Sequence, residues 1–170
     1  MAHTEIRPAV NADRDSWRLL RQELWPDCPA QRHALEIQQI LASEGVAFVA
    51  DWRQAGIVGF AEVSIRRDHV EGAASSPVPY LEGWFVREGF RRQGIGRRLL
   101  DAASQWAAQR GFSELASDAE IRNEASISVH AALGFREVGR SVHFLRLLQS
   151  ENVRTQNCPL ARTDEVQGTQ

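Results

Sequence analysis

Arg91-Arg92-Gln93-Gly94-Ile95-Gly96 lies between an apolar run, Tyr80-Leu81-Glu82-Gly83-Trp84-Phe85-Val86, and a helical pattern over Ile95 to Arg110. The order is strand, glycine loop, helix. Glycine lets the main chain approach a ligand closely, and a helix start leaves its first N–H groups unpaired. The helix dipole adds partial positive charge at the same end. Arg91, Arg92, Arg97 and Arg98 contribute fork-shaped donors, and residues 87–98 hold five arginines against one glutamate. These features describe a phosphate or pyrophosphate site; the plain alternative is a solvated, arginine-rich helix start. Neither the Gly-Lys-Ser/Thr of a Walker loop nor a third glycine at position 99, which is leucine, is present.

Outward from this loop, the pattern predicts a short edge strand at Glu5–Ala9, with Pro8 tolerable at an edge, then a helix capped by Asn11 or Asp13 and running through about Leu24. Trp17, Leu20 and Leu24 share one face of it. Trp25-Pro26 breaks that helix, and a second follows from about Ala30 to Glu44 with Ala34, Ile37 and Leu41 inward and Gly45 as its stop. Val46–Ala50 and Ile57–Ile65 read as an antiparallel hairpin. Arg66 to Pro79 reads as a long functional loop.

After the glycine-loop helix, with its stripe Leu99, Ala103 and Trp106 and its stop at Gly111, Ser113–Asp118 reads as a strand parallel to its predecessor through a right-handed crossover. Asn123 caps a short helix ending at Gly134-Phe135, and Val138, Val142 and Phe144 alternate as a closing strand. Residues 149–170 turn polar and lose periodicity, which reads as a disordered C-terminal tail.

At 170 residues the chain suits one domain. No apolar run approaches the ~18 residues of a membrane helix, so no membrane association and a cytoplasmic location are expected. Cys28 and Cys158 are far apart and without a Cys-x-x-Cys, so neither a disulfide framework nor a metal site is expected. A net charge of −2 argues against a nucleic-acid partner.

Arg91-x-x-Gly94-x-Gly96 after an apolar strand resembles the acetyl-CoA pyrophosphate loop of the GNAT acetyltransferase superfamily, and Asn123 to Phe135, ending Leu133-Gly134-Phe135, resembles that family's second motif. Closer still, Gly59 to Gly72, Ser75-Ser76-Pro77-Val78, Leu81 to Val86, Leu24-Trp25-Pro26 and Ala116-Ser117-Asp118 are similar to the aminoglycoside 6′-N-acetyltransferases of type I. The resemblance implies an α/β GNAT fold with a mixed, splayed central sheet over residues 1–148. It also implies acetyl transfer from acetyl-CoA, as co-substrate, to the 6′-amine of an aminoglycoside, and a homodimer. An acetyltransferase for another amine, such as a polyamine or a protein N-terminus, and a non-catalytic acyl-CoA-binding module are the rival readings.

Glu82 lies inside an otherwise apolar strand and Asp118 at the end of its parallel neighbour, the switch point where open α/β sheets bind ligands. Read alone, Glu82 can equally face solvent or form a salt bridge, and Asp118 can be a turn residue. By resemblance, Asp118 binds and helps deprotonate the amine, with Glu82 as acidic partner or water-mediated base. The resemblance further places Trp25 and His69 at the aminoglycoside. It assigns the main chain of Phe85 and Val86 to the pantetheine, Arg91, Arg92, Gln93, Gly94, Ile95 and Gly96 to the pyrophosphate, and Asn123 to the cofactor arm. Trp17 and Trp106 read as core, Trp25 as core or sugar-facing wall, and Trp84 as sharing a strand face with Glu82. The closing segment reads Val142-His143-Phe144-Leu145, with no tyrosine to protonate the leaving thiolate; water or a histidine is left for that step.

Overall fold

Among the described residues, five strands form one sheet in their sequence order, with helices on both faces. The computed structural model describes residues 4–147. The strands are β1 (Thr4–Pro8), β2 (Val46–Trp52), β3 (Gly56–Arg66), β4 (Val78–Val86) and β5 (Ala116–Ser117). The first four are antiparallel neighbours, and β4 and β5 are parallel. The helices are α1 (Arg14–Leu24), α2 (Ala30–Ala42), α3 (Ile95–Gln109) and α4 (Glu124–Ala132). Residues through Arg140 form one compact unit; Ser141–Leu147 begin a second and contain no helix or strand. The expected tail, 149–170, lies outside the described residues. Among the described residues, no helix is long and apolar enough to cross a membrane.

β2 and β3 are apolar on both faces because both faces are covered. On one side Phe48, Ala50, Ala61, Val63 and Leu81 pack with Leu99, Ala103 and Trp106 of α3. On the other, Ala47, Val49 and Phe60 pack with Trp17, Leu20 and Ile37 of α1 and α2. The expected core tryptophans Trp17 and Trp106 are therefore buried.

Five expectations need correction. α2 turns His33 inward rather than Ala34, because Arg21 of α1 is itself buried and donates from Nε to His33 Nδ1 at 3.3 Å. The capping role expected near Asn11 and Asp13 is replaced: the Asp13 carboxylate accepts the Val10 N–H and pairs with Arg7. The loop is shorter than expected, since Arg66 pairs with Val78 and Ile65 with Pro79. The parallel strand shrinks to Ala116–Ser117, and no strand follows it among the described residues. There Val138 packs on Gly72 and Gly139 on Glu71, so this stretch leans on the β3–β4 loop instead of pairing along β5.

Candidate active site

The β3–β4 register slips once. Glu62 pairs with Gly83 and Val63 with Leu81, which leaves Glu82 as an extra residue, a β-bulge. A bulge bends its strand, and β4 leaves β5 at the same place: the last parallel pair is Leu81 with Ser117. Glu82 and Asp118 are thus the next residue on each strand where the sheet parts. The bulge also breaks the alternation expected between Glu82 and Trp84. Trp84 opposes Ala61, packs in the α3 cluster and donates from Nε1 to Gly96 O at 3.1 Å. Glu82 joins the opposite face.

On that face β3 supplies Ser64 and Arg66, two apart, and β4 supplies Tyr80 opposite Ser64. Glu82 Oε1 accepts from Ser64 Oγ at 2.5 Å and Arg66 Nε at 2.9 Å, while Oε2 accepts from Arg66 Nη2 at 2.6 Å. The Arg66 guanidinium lies 3.3 Å above the centroid of the buried Tyr80 ring. Burial, and then the neighbouring Asp118 carboxylate, push the Tyr80 phenol up to about 12, so it remains a neutral donor beside Asp118. Ser64, Arg66 and Tyr80 were missed as site residues. Their signal, period-two spacing on paired strands, has meaning only once the register is known.

Trp25 forms the adjoining wall. Its ring lies over Gly83, where an added Cβ would come within 2.5 Å of Cη2. Beneath it is a buried polar cluster. Arg21 sits 4.8 Å from the Trp25 ring and is paired with both Glu62 and Glu36. Trp17 Nε1 donates to Glu62 Oε1 at 2.7 Å. Burial pushes the Glu62 carboxyl up to about 6 against the pull of Arg21 and Trp17. Trp25 is therefore both core and wall.

On the α3 side the glycine loop adopts the shape its sequence suggests. Arg92 has φ 61° and Gly94, the N-cap of α3, has φ 77° with no side-chain cap, so the first amides of α3 are left open. Arg91 donates from Nε to the Val86 carbonyl at 2.8 Å, and Arg98 to the Thr4 carbonyl at 2.8 Å. Among the described residues, Arg91, Arg92, Arg97 and Arg98 pair with no carboxylate, so their charge is uncompensated. Gln93 is exposed beside them and Ile95 is buried as the anchor of the helix start.

The Arg87 N–H donates to Val58 O in β3. Strand alternation then turns Phe85 toward β3 and leaves the Val86 N–H on the open edge, since its carbonyl is taken by Arg91. Of the two expected pantetheine contacts, Val86 is the one whose N–H points away from β3 and is unpaired among the described residues.

Asn123 caps α4, accepting the Ser126 N–H at 3.0 Å. Gly134, at φ 95°, closes the helix with Phe135 N donating to His130 O. His130 joins the parting strands to α4. Its Nδ1 lies 2.8 Å from the Ser126 carbonyl, a pairing that needs an N–H, which leaves Nε2 to accept from Ser117 Oγ at 3.0 Å. Its ring meets Trp84 edge-on. His69 is exposed on the β3–β4 loop beside Glu71, and no hydrogen bond or ion pair among the described residues joins it to Glu82 or Asp118.

Comparison with known proteins agrees with this geometry. Residues 10–135 match the acetyltransferase (GNAT) family. The chain is 46% identical to the aminoglycoside N(6′)-acetyltransferase type 1 of Serratia marcescens, over 79% of this chain and 92% of that one. Among solved structures it is similar to aminoglycoside N-acetyltransferase AAC(6′)-Iy in complex with CoA, with a TM-score of 0.82, 37% identity, and coverage of 86% of this chain and 96% of that one. The same enzyme with the bisubstrate analogue CoA-S-monomethyl-acetylneamine superposes with a TM-score of 0.81 at 37% identity, covering 86% and 100% of the two chains. The chain belongs to the acetyltransferase (GNAT) family and, within it, groups with the type 1 aminoglycoside N(6′)-acetyltransferases.

Proposed function

We propose that this protein transfers the acetyl group of acetyl-CoA to the 6′-amino group of aminoglycosides, by direct attack in a ternary complex, and so confers resistance to them. The observation that carries this reading is the placement of Glu82 and Asp118 one residue beyond the last paired positions of two parting strands. The uncompensated arginines and open helix amides lie around the N-terminus of α3. One region suits a polyanion, the other a polycation. Residues 113–124 reinforce the second with four acids against one arginine.

An amine with a lysine-like pKa costs about 4–5 kcal/mol to deprotonate at pH 7, at ~1.4 kcal/mol per unit. Asp118 takes that proton, directly or through a water shared with Glu82. The freed nitrogen attacks the thioester carbonyl, the C–N bond forms and the C–S bond breaks, and the second proton lost by the nitrogen is passed through water to the departing thiolate. The open Val86 N–H is the donor for the carbonyl oxygen as charge develops there. Arg91, Arg92, Gln93, Gly94, Ile95 and Gly96 hold the pyrophosphate, and Trp25 stacks against a sugar ring. Asn123 and His69 belong to the same reading, at the cofactor arm and the aminoglycoside, as do a homodimeric assembly and a cytoplasmic location. Neither Cys28 nor Cys158 has a role in it, because no acyl-enzyme is needed.

The test is thiol release from acetyl-CoA with kanamycin A and with paromomycin, whose 6′ position is a hydroxyl. Turnover with the first and little with the second is expected. CoA binding without turnover on any 6′-amino drug would refute the substrate while leaving the family assignment intact.

A further inference from the structure

Arg66 is the cation nearest the proposed catalytic pair, and nothing in the chemistry above uses it. An arginine beside a site for a polycation is unfavourable by charge alone, so its presence there calls for a compensating role. Three contacts define it. Its fork grips both oxygens of Glu82 at 2.9 and 2.6 Å, its plane lies on the Tyr80 ring, and Ser64 Oγ closes on Oε1 from the same strand. Both carboxylate oxygens are engaged on the Arg66 side. Oε1 is filled by two donors, whereas among the described residues Oε2 accepts one hydrogen bond. Glu82 sits on a bulge, with no ladder partner to fix its backbone direction, so its orientation depends on side-chain contacts.

We infer that Arg66 is a positioning residue: seated on Tyr80, it locks the Glu82 carboxylate so that the remaining lone pair of Oε2 is presented to the substrate ammonium or its water. This rests on the acetyltransferase reading above.

A lysine at 66 keeps the charge and loses both the fork and the stacking plane. Misplacement of a catalytic group by about 1 Å can cost on the order of 100-fold. Arg66→Gln should therefore lower kcat/KM for kanamycin A by about 10- to 100-fold. Arg66→Lys should recover little of this, and the KM for acetyl-CoA should stay within about twofold of wild type, because the cofactor loop is built from other residues.

The deciding experiment is a double-mutant cycle of Arg66→Gln with Glu82→Gln, scored by kcat and KM for both substrates, with melting temperature and CoA affinity as checks on folding. If Arg66 acts through Glu82, removing it from the Glu82→Gln protein changes kcat/KM by no more than about twofold. An equal loss in both backgrounds, or a single-mutant loss under twofold, overturns the inference while a strong Glu82→Gln effect keeps the parent reading. Should Glu82→Gln alone have no effect, the inference fails too, and Asp118→Asn then decides whether the site assignment fails with it. Should Arg66→Gln not fold, Arg66→Lys enters the same cycle with the same criterion.

Discussion

Gly83→Ala is the smallest change that tests the wall of the site. Its added Cβ would lie 2.5 Å from Trp25 Cη2, 3.1 Å from Cζ2 and 3.3 Å from Phe60 Cε2. Carbon atoms in good contact are about 3.5–4.0 Å apart, so the Trp25 ring must retreat by about 1 Å. It cannot do so freely: Arg21 lies 4.8 Å from it, His33 stacks at 6.3 Å and Phe60 leans in at 6.2 Å. Overpacking of this kind costs about 1–3 kcal/mol. For a chain of this length each kcal/mol lowers the melting temperature by about 2–4 °C. The functional effect should fall on one substrate only. A wall displaced by about 1 Å should reduce kcat/KM for kanamycin A by roughly 10- to 100-fold, while the KM for acetyl-CoA is unchanged, because the glycine loop proposed to hold the cofactor lies at the N-terminus of α3. The assay is thiol release with each substrate varied in turn, beside thermal melting, with Gly89→Ala as a control whose Cβ meets nothing within 4 Å. A Gly83→Ala protein that melts with wild type and keeps kcat/KM within twofold would refute the placement of Trp25 against the sugar.

Other perturbations separate the remaining parts. The fold raises the Glu62 carboxyl from 4.5 to about 6, so it favours the protonated form. That contribution is fully present below about pH 4.5 and lost as pH rises through 6, some 2 kcal/mol in all at ~1.4 kcal/mol per unit. Urea unfolding of wild type against Glu62→Gln from pH 4 to 7 should show the wild type losing ground as pH rises; a flat or opposite difference would mean that the Arg21 and Trp17 contacts outweigh burial, and would refute the raised carboxyl. Gly94→Ala forces a Cβ into φ 77°, at a cost of about 1–2 kcal/mol. Because that strain sits at the open amides of α3, the KM for acetyl-CoA should rise several-fold with the KM for kanamycin A unchanged. Asn123→Ala removes the α4 cap and should cost about 1 kcal/mol by chemical denaturation. Asn123→Ser restores it, and a KM for acetyl-CoA that recovers with serine would mean that Asn123 acts through the cap.

What the sequence disclosed follows from where its signals are local. The glycine loop, its helix and the glycine stop at Gly134 are set by backbone rules acting over a few residues, and all three are found in place. Glu82 and Asp118 could be brought together because one crossover makes their strands parallel neighbours. The misses are long-range. Ala34 looked inward by periodicity, yet Arg21 drew His33 in to satisfy a buried guanidinium. Trp84 looked to share a face with Glu82, yet the extra residue at Glu82 changed the count, and that insertion shows only in the pairing with β3. Arg66 and Tyr80 are unremarkable in a linear reading because their meaning lies in register. The alternation of Val138, Val142 and Phe144 is that of a strand, but alternation describes faces and does not supply a partner.

The bulge accounts for most of what is distinctive here. Without it, strict alternation would send Leu81 and Trp84, three residues apart, to opposite faces, and Gly83 would turn toward α3 in place of Trp84. One extra residue lets Leu81 and Trp84 both face α3 while Glu82 and Gly83 both face the other side, beside Arg66 and Trp25. The same bend carries β4 away from β5 after Leu81, which exposes the Val86 N–H that a continuous parallel ladder would have consumed. Acid, wall and edge donor are thus consequences of a single insertion, and Gly83 is required there because Trp25 occupies the space its side chain would fill. The acid pair cannot be moved along the strands independently of the open edge, since the residue that places the carboxylate is also the one that parts the sheet.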